Sequence, residues 1–462
     1  MTLIKSISGI RGTIGGEQDN NLTPLDIVKF VSAFSVLIKQ NKSKGKKHKI
    51  IVGRDARISG NMVNNIVVGS LNGMGIDVIN LGMATTPTVE IAVVKENADG
   101  GIILTASHNP KQWNALKLLN NKGEFISAAD GQELINIVNE CKYKFADVDD
   151  LGCITNNNTY DDIHIKSIID LDLVDVESIS NANFTIAIDA INSVGGIIIP
   201  KLLKALRVKN IIELYCEPDG IFSHNPEPLP ENLTEISNIV KEKKADVGFV
   251  VDPDVDRLAI INEDGSMFGE EYTLVAIADY VLQNKKGNTV SNMSSTQALR
   301  DITIKYGSKY EASAVGEVNV VEKMKEIGAV IGGEGNGGII YPELHYGRDA
   351  LVGIALFLSF LAEENIKCSE LKAKYPQYYI SKNKIQLSSD DNIEAVFNTI
   401  HAKYKDYETS TIDGLKIIME NEWVHLRKSN TEPIIRVYAE SKSKNDADNL
   451  SASIIEKIKT IL

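Results

Sequence analysis

Apolar and polar positions alternate along most of this chain in a way that predicts short buried strands separated by amphipathic helices. In the first part, apolar runs predict strands at Lys49–Val52, Asp77–Asn80 and Gly101–Leu104, with an amphipathic helix at Met62–Met74. Strands that alternate with helices of this length indicate parallel-rich sheets covered by helices. The same alternation continues further along the chain. Strands are predicted at Phe184–Ile188, Ile211–Leu214, Val247–Val251, Leu258–Ile261 and Ala329–Ile331. Helices are predicted at Val194–Leu206, Leu233–Lys243, Ser295–Tyr306, Val318–Ile327 and Ala350–Glu363.

The carboxyl-terminal part of the chain has a different pattern. Two apolar strands, Trp423–Leu426 and Ile434–Tyr438, flank a polar loop, and the amphipathic helix Asp446–Ile461 closes the chain. This order predicts a small α+β unit at the end of an otherwise α/β protein.

Polar stretches mark the joints between these units. One lies at Thr155–Asp162, one near Asn262–Glu271 and one around Pro376. A chain of 462 residues is too long for a single compact core, so several domains are expected. We predict three mixed α/β domains with parallel-rich sheets, at 1–154, 155–262 and 263–374, followed by an α+β domain at 375–462.

Net charge and cysteine placement narrow the functional classes. The net charge of −13 argues against a nucleic-acid or anionic-membrane partner, because such partners select basic surfaces. The four cysteines have no C-x-x-C spacing, so free thiols in a reducing cytosol are expected. No signal peptide is apparent, and no run approaches the ~20 apolar residues of a membrane helix. We expect a cytoplasmic protein, monomeric or homodimeric, whose partner is a small molecule.

A Ser-His pair, Ser107 and His108, follows a buried strand in the segment Thr105–Pro110. Sheets of this class place ligands at the carboxyl ends of their strands, and a hydroxyl beside an imidazole suits nucleophilic catalysis. Pro110 favours a loop because it lacks the donor that a helix needs. A polar turn without function is the alternative, since Ser and His that adjoin in sequence rarely form a triad.

Three carboxylates at alternate positions follow the predicted strand Val247–Val251: Asp252, Asp254 and Asp256, with Arg257 next. Crowded carboxylates repel one another unless a cation lies among them, and hard oxygen ligands favour Mg²⁺ or Ca²⁺. An EF-hand is rejected because Arg257 occupies the position that requires glycine and the flanking segments are strands. We predict a metal site, with a solvated acidic turn as the alternative.

A glycine-rich segment, Gly332–Gly338, surrounds Glu334. It contains a formal G-x-G-x-x-G, but Ile339–Pro342 follows where a dinucleotide site needs a helix. We interpret Glu334 as a carboxylate that accepts hydrogen bonds from a ligand's hydroxyl groups; a plain glycine turn is the alternative.

A dense set of donors lies between the last two strands, in the segment Arg427–Pro433, with Arg436 just beyond. Arginines together with Ser429, Asn430 and Thr431 suit a phosphate, which accepts charge-assisted hydrogen bonds. A hairpin with surface basic residues is the alternative.

Two further segments place arginines beside glycine or a strand end. Arg11 lies between Gly9 and Gly12, which give backbone freedom around a fixed cation. Gly53–Arg57 follows a strand and is consistent with a structural ion pair.

Taken in this order, the four motifs resemble the α-D-phosphohexomutase family over nearly the whole chain, from Arg11 to Arg436. The resemblance implies four domains around a central cleft and interconversion of hexose 6-phosphate and hexose 1-phosphate. It also implies a phosphoserine at Ser107 and a hexose 1,6-bisphosphate as intermediate and activator. For Mg²⁺, the resemblance implies the ligands Ser107, Asp252, Asp254 and Asp256. As catalytic groups, it implies Ser107, Arg11, His108, Lys117 and Arg257. For the phosphosugar substrate, it implies Glu334, Asn336, Arg427, Ser429, Asn430, Thr431 and Arg436.

The glycine-rich loop departs from the better-known bacterial pattern Gly-Glu-x-Ser-Gly-His. Asn336 stands in place of the serine and Gly338 in place of the histidine, so no role of that histidine transfers. His345 is nearby in the sequence. Glucosamine, glucose and mannose phosphates all stay open as substrates, and we expect glucosamine 6-phosphate because bacteria that build a cell wall need its conversion.

Two other classes compete with the mutase. A dehydrogenase that used Gly333–Gly338 would leave the aspartate and arginine loops unexplained. A non-catalytic sugar-phosphate-binding protein would keep the arginine loop but would not need Ser107 beside three acids.

Overall fold

The computed structural model describes residues 2–6, 9–40, 47–388, 392–429 and 433–462. The chain divides into two compact units, the first formed by Met1–Thr273 with Gly337–Leu371 and the second by Leu274–Asn336 with Lys372–Leu462. The predicted class, α/β sheets followed by an α+β part, is confirmed. The predicted boundaries after residues 154, 262 and 374 stay predictions. No helix among the described residues is both long enough and apolar enough to cross a membrane.

A seven-stranded mixed sheet opens the first unit. Its elements are β1 (Ile4–Ser6), β2 (Gly9–Thr13), α1 (Pro24–Gln40), β3 (His48–Arg54), α2 (Gly60–Gly73), β4 (Ile76–Met83), α3 (Thr86–Lys95), β5 (Gly100–Leu104), β6 (Trp113–Leu119), α4 (Ala128–Asn139), a 3-10 turn at Val148–Asp150 and β7 (Ile154–Asn156). The strand order is β1-β2-β6-β5-β3-β4-β7, with β3 parallel to β4 and β5, and β6 antiparallel to β5. Apolar faces of α1, α2 and α4 pack on this sheet in one core.

A four-stranded sheet follows in the same unit. Its elements are α5 (Tyr160–Ile169), α6 (Val176–Ala182), β8 (Thr185–Asp189), α7 (Gly195–Ala205), β9 (Asn210–Leu214), a 3-10 turn at Pro230–Asn232, α8 (Thr234–Lys243), β10 (Val247–Val251) and β11 (Leu258–Asn262). The order β9-β8-β10-β11 repeats the order β4-β3-β5-β6 of the first sheet, again with the last strand antiparallel. The serine loop and the aspartate loop therefore leave equivalent strands, β5 and β10, at their carboxyl ends.

Helix α9 leads into the second unit, whose first sheet has the same arrangement. The elements are α9 (Glu270–Asn284), β12 (Asn288–Asn292), α10 (Ala298–Lys305), β13 (Tyr310–Ser313), α11 (Glu317–Ile327) and β14 (Ala329–Glu334). Strand β12 lies between β13 and β14 and is parallel to both. The chain then returns to the first unit through β15 (Gly338–Ile340), α12 (Ala350–Glu364) and the start of α13 (Cys368–Ala373).

The carboxyl-terminal part is the predicted α+β unit. Its elements are β16 (Tyr379–Gln386), α14 (Ile393–Lys403), β17 (Glu408–Ser410), β18 (Leu415–Ile418), β19 (Trp423–Lys428), β20 (Ile434–Ser441) and α15 (Lys444–Lys459). The five strands form an antiparallel sheet in the order β16-β20-β19-β18-β17. Apolar side chains of α14 and α15 cover one face of it.

Candidate active site

The serine loop holds Ser107 in an unusual backbone conformation directly after strand β5. Its φ is 47°, a left-handed value that costs energy for a residue other than glycine and that is common at functional sites. The Ser107 N–H donates to Thr105 Oγ1 at 2.9 Å, and Thr105 Oγ1 donates to Asp55 Oδ2 at 2.7 Å. These bonds fix the loop from its start.

A buried arginine, Arg57, organises the rest of the serine loop. Its side chain is fully buried, and all five guanidinium N–H groups have acceptors. Nε donates to Asp55 Oδ2 at 3.0 Å, which confirms the predicted ion pair in Gly53–Arg57. The other four bonds go to the main-chain oxygens of Ser107, Asn109, Pro110 and Trp113. The loop is therefore wrapped around one cation.

The aspartate loop brings three fully buried carboxylates together at the end of strand β10. One oxygen from each of Asp252, Asp254 and Asp256 lies within 4.8 Å of the others. Ser107 Oγ donates to Asp252 Oδ2 at 2.6 Å, so the hydroxyl adjoins this cluster. Between the acids, Val255 has φ 63°, a rare conformation for a β-branched residue. The two predicted motifs thus form one site within the first unit.

Two cations contact the acids from outside the cluster. Lys117, on strand β6, places Nζ 2.7 Å from Asp254 Oδ2 and 3.3 Å from Asp256 Oδ2. Arg348 places Nη2 2.6 Å from Asp256 Oδ2. Burial alone would lower the pKa of Lys117, but the two carboxylates outweigh it and raise that pKa above its usual range. Lys117 therefore stays charged.

The three carboxylates differ in their proton affinity. Burial raises the pKa of Asp252 well above its usual range, and the carboxylates of Asp256 and Asp254 raise it further. Burial would also raise the pKa of Asp256, but nearby cations outweigh it and hold that pKa below its usual range. Those cations are Arg348, Lys117 and Arg257.

The donor set of the cluster fits a hard divalent cation. Among the described residues, Asp254 Oδ1 and Asp256 Oδ1 have no hydrogen-bond partner although both are buried. Buried carboxylate oxygens without partners are costly unless a cation coordinates them. Only oxygen ligands converge here, which suits Mg²⁺ or Ca²⁺ better than zinc.

The remaining predicted catalytic residues lie around the same serine. His108 Nδ1 is 3.3 Å from Ser107 Oγ, and the charge of Arg257, followed by burial, lowers the pKa of His108 well below its usual range. Burial and the charge of Arg257 also lower the pKa of Arg11, so the two guanidinium groups lie near each other. The site is therefore rich in cations next to a neutral imidazole.

Glu334 and Arg427 lie in the second unit and are linked to each other through one segment. Glu334 Oε1 accepts hydrogen bonds from Asn292 Nδ2 at 2.9 Å and from the Gly316 N–H at 3.2 Å. The preceding residue, Val315, donates its N–H to Asp413 Oδ2, which also pairs with Arg427 Nε at 2.8 Å. The predicted sugar contact and the predicted phosphate contact are thus connected through Val315 and Gly316.

Three basic side chains stand in one row on adjacent strands of the last sheet. Arg436 on β20 is directly opposite Arg427 on β19 and Lys384 on β16. Like charges directly opposite each other are unfavourable in a sheet unless an anion neutralises them. Ser429, also predicted, is buried at the end of β19. The predicted contacts Asn430 and Thr431 lie outside the described residues.

Sequence reasoning missed three residues of the site. Arg57 was seen only as an ion-pair partner, although it makes the bonds that shape the serine loop. Arg348 reaches Asp256 from a distant part of the chain, and Thr86 Oγ1 donates to Asp254 Oδ2 at 2.5 Å. Thr86 and Arg348 each adjoin the N-cap residue of a helix, Thr85 of α3 and Asp349 of α12, so polar residues at predicted helix starts were the signal that could have indicated them.

The chain is similar to proteins of one known family along most of its length. The chain matches all four domains of one family, described as Phosphoglucomutase/phosphomannomutase: alpha/beta/alpha domain I over residues 3–144, domain II over 162–265, domain III over 269–379 and the C-terminal domain over 366–457. A phosphoglucomutase/phosphomannomutase of Thermococcus kodakarensis is 35% identical over 446 residues, covering 94% of this chain and 95% of that protein.

Two further proteins agree with this match. A phosphoglucosamine/phosphogalactosamine mutase of Sulfurisphaera tokodaii is 34% identical, covering 96% of each chain. The crystal structure of a phosphoglucomutase/phosphomannomutase family protein from Burkholderia thailandensis superimposes with a TM-score of 0.85 at 24% identity. It covers 100% of this chain and 98% of the other, and it supports the shared fold.

Proposed function

The chain belongs to the phosphoglucomutase/phosphomannomutase family, and from this premise we propose how its residues interconvert hexose 6-phosphate and hexose 1-phosphate. The enzyme is an intramolecular phosphotransferase of the phosphohexomutase class. We assign the phosphoryl carrier to Ser107. The observation that carries this assignment is the 2.6 Å contact of Ser107 Oγ with Asp252, beside two buried carboxylate oxygens that have no hydrogen-bond partner in the described part of the chain.

Each half-reaction moves one phosphoryl group between Ser107 Oγ and a sugar hydroxyl. In the first, the hydroxyl oxygen of the hexose monophosphate attacks phosphorus, the P–Oγ bond breaks, and the hydroxyl proton is passed on to Ser107 Oγ. In the second, Ser107 Oγ attacks the other phosphorus of the bisphosphate, the bond between that phosphorus and the sugar oxygen breaks, and the proton of the Ser107 hydroxyl passes to the released sugar oxygen. His108, neutral and 3.3 Å from Ser107 Oγ, is suited to carry this proton.

The acids and cations around Ser107 supply the charge stabilisation that phosphoryl transfer needs. Asp252, Asp254 and Asp256 would hold Mg²⁺ together with an oxygen of the Ser107 phosphate, and the bound ion would neutralise charge on the transferring group. Lys117 keeps the carboxylates aligned and stays charged. Arg11 and Arg257, whose charges act on each other, would contact the phosphate oxygens.

The second unit would bind the sugar and the phosphate that is not reacting. Glu334 is held rigidly and would accept hydrogen bonds from sugar hydroxyls, with Asn336 next to it in the same loop. The opposed pair Arg427 and Arg436 would bind the distal phosphate, helped by Ser429. The intermediate must turn around between the half-reactions, and a clamp that accepts either phosphate permits this. Asn430 and Thr431 are proposed as further donors to the same phosphate.

For the sugar, we propose glucosamine 6-phosphate, converted to glucosamine 1-phosphate. The name of the Sulfurisphaera tokodaii relative supports this choice, while the name of the Thermococcus kodakarensis relative supports the alternative, glucose or mannose phosphate. A hexose 1,6-bisphosphate would prime the enzyme by phosphorylating Ser107.

Coupled assays on the 6-phosphates of glucosamine, glucose and mannose test the proposal, each with Mg²⁺ and a catalytic amount of hexose 1,6-bisphosphate. We expect turnover only when a hexose 6-phosphate, Mg²⁺ and the bisphosphate are all present. Of the three sugar phosphates, glucosamine 6-phosphate should have the highest kcat/KM. A higher kcat/KM for glucose or mannose 6-phosphate would change the assigned sugar. The absence of turnover on all three, with intact mass showing no phosphorylation, would favour a sugar-phosphate-binding protein.

A further inference from the structure

A buried network of two histidines and two carboxylates lies behind the aspartate loop, in the first unit. Asp349 Oδ2 accepts hydrogen bonds from His164 Nε2 at 2.8 Å and from His345 Nε2 at 3.2 Å. On its far side, His345 Nδ1 is 3.3 Å from Glu90 Oε2. Each of these four side chains is at most 9% exposed. Burying four titratable side chains costs free energy of folding, and apolar residues could fill the same space without that cost. A role other than packing is therefore expected for the network.

One end of the network fixes the start of helix α12. Asp349 is the N-cap residue of that helix, and its Oδ1 accepts from the N–H groups of Leu351 and Val352. The first residue of the helix, Ala350, donates its N–H to the main-chain oxygen of Val255 at 3.2 Å. Val255 is the residue with a left-handed backbone between the acids of the aspartate loop. The position of Asp349 therefore determines where the Ala350 N–H lies, and this N–H holds the strained Val255.

The other end fixes the start of helix α3. His164 Nδ1 is 3.0 Å from Thr88 Oγ1, and Thr88 Oγ1 is 2.7 Å from Thr85 Oγ1, the N-cap of that helix. Between them, Thr86 donates its N–H to the main-chain oxygen of Asp254 at 3.0 Å and its hydroxyl to Asp254 Oδ2. His164 thus joins the first turns of two helices that both hydrogen-bond to the aspartate loop.

Charge and space agree with a fixed arrangement. Burial would lower the pKa of His345, but hydrogen bonds to Asp349 and Glu90 raise it to about 10, so the ring is a cation between two anions. A Cβ atom on Gly347 would lie 1.9 Å from Glu90 Oε2, so any other residue there would displace this carboxylate from its present position.

We propose that His164, Asp349 and His345 are positioning residues that hold the aspartate loop in its metal-binding geometry. This proposal rests on the proposed function, since it concerns the same metal site. The residues do not touch the acids themselves. They act through the N-terminal turns of α3 and α12, which contact Asp254 and Val255.

Two substitutions at one position separate this role from simple packing. In His164→Gln, the amide nitrogen reaches the place of Nε2 and keeps the bond to Asp349. The contact with Thr88 is lost, but Thr88 keeps its two hydrogen bonds with Thr85 at the start of α3. In His164→Asn, the shorter amide reaches only the place of Nδ1, so it keeps the contact with Thr88 and loses Asp349. Asp349→Asn is a second test, because asparagine still caps α12 but removes the charge between the imidazoles.

Binding of Mn²⁺ as a substitute for Mg²⁺, followed by electron paramagnetic resonance of the free ion, provides a readout that does not depend on turnover. We expect His164→Asn and Asp349→Asn to weaken Mn²⁺ binding at least fivefold, and His164→Gln to stay within twofold of wild type. The control is Leu134→Ala, which removes a buried side chain of α4 in the first core. It should lower Tm and leave Mn²⁺ binding unchanged.

The outcomes separate the two ideas. Wild-type Mn²⁺ affinity in both His164→Asn and Asp349→Asn, whatever their Tm, would overturn the positioning role and leave the mutase proposal intact. Weakened binding in those variants, with a wild-type protein that binds Mn²⁺ but converts no hexose phosphate, would support the network and overturn the proposed function. A wild type that binds no Mn²⁺ would overturn both.

Discussion

Arg57 Nη2 lies 2.5 Å from the main-chain oxygen of Ser107, the residue assigned as the phosphoryl carrier. The same guanidinium bonds three more main-chain oxygens of the loop, those of Asn109, Pro110 and Trp113. The left-handed backbone of Ser107 is stable because these bonds and the Thr105 contact determine it from several sides.

Replacing Arg57 by lysine should therefore lower kcat, although the substitution keeps the positive charge. Lysine keeps the charge but lacks the planar fork, so most of the four main-chain bonds are lost. We expect kcat to fall at least tenfold and Tm to fall by several degrees. Steady-state kinetics and thermal unfolding check this. Arg54→Lys is the matched control, since among the described residues Arg54 donates to Asp55 O and Asn61 Oδ1 and to no oxygen of the serine loop. Equal effects of the two substitutions would contradict a special role for Arg57.

Asp254→Asn should raise the Mg²⁺ concentration needed for half-maximal activity and lower kcat. The substitution neutralises one of three anionic ligands. In the wild type, Asp254 Oδ1 is buried and has no hydrogen-bond partner among the described residues, so it is free to bind the ion. A Mg²⁺ titration of initial rates measures the effect, with Asp264→Asn on an exposed turn as control. The same Mg²⁺ dependence in Asp254→Asn and wild type would mean that the three acids do not bind the ion.

Arg427→Ala should weaken binding of phosphorylated sugars far more than binding of the corresponding free sugars. A charge-assisted hydrogen bond to phosphate contributes ~1.5–3 kcal/mol, which is roughly a ten- to hundredfold change in Kd. Calorimetry with a hexose 6-phosphate and with the free hexose measures both. Lys428→Ala is the control, because Lys428 is exposed and follows Arg427 on the opposite face of the strand. An equal Kd for the phosphosugar in Arg427→Ala and wild type would remove this residue from the site.

The charge of His345 should make its contribution to stability depend on pH. Its pKa is about 10 in the folded protein, against 6.5 for the free side chain, so the stabilising charge is fully present below pH 6.5 and is lost as pH rises through 10. The difference in unfolding free energy between wild type and His345→Gln should be large near pH 6.5 and much smaller above pH 10. Urea unfolding at several pH values measures it. A difference that does not change with pH would mean that His345 is neutral when buried.

Local pattern was enough to predict the strands β5 and β10, which lead into the serine loop and the aspartate loop. Runs such as Val247–Val251 are apolar throughout because both faces are buried, so the acids that follow them had to lie at a sheet edge. The predicted helix Met62–Met74 and strand Gly101–Leu104 agree with α2 and β5 to within two residues.

The contacts that complete the site could not be read from local pattern. Arg348 meets Asp256 across 92 residues, and His164 meets Asp349 across 185 residues. Strand β6 was also missed, because Asn114 and Lys117 are polar in a buried strand. Lys117 is there because Asp254 and Asp256 compensate its burial, and those acids come from the other sheet of the unit.

The central claim is that Ser107 carries the phosphoryl group that moves between the two positions of one hexose. Its most direct test is the intact mass of wild type and Ser107→Ala after incubation with hexose 1,6-bisphosphate and Mg²⁺, followed by addition of unphosphorylated and monophosphorylated glucosamine in separate reactions. We expect one phosphoryl group on wild type, localised to Ser107 by peptide mapping and discharged only by the monophosphate. We expect none on Ser107→Ala, which should be folded and inactive. Phosphorylation of Ser107→Ala, or its turnover at the wild-type rate, would show that Ser107 is not the phosphoryl carrier.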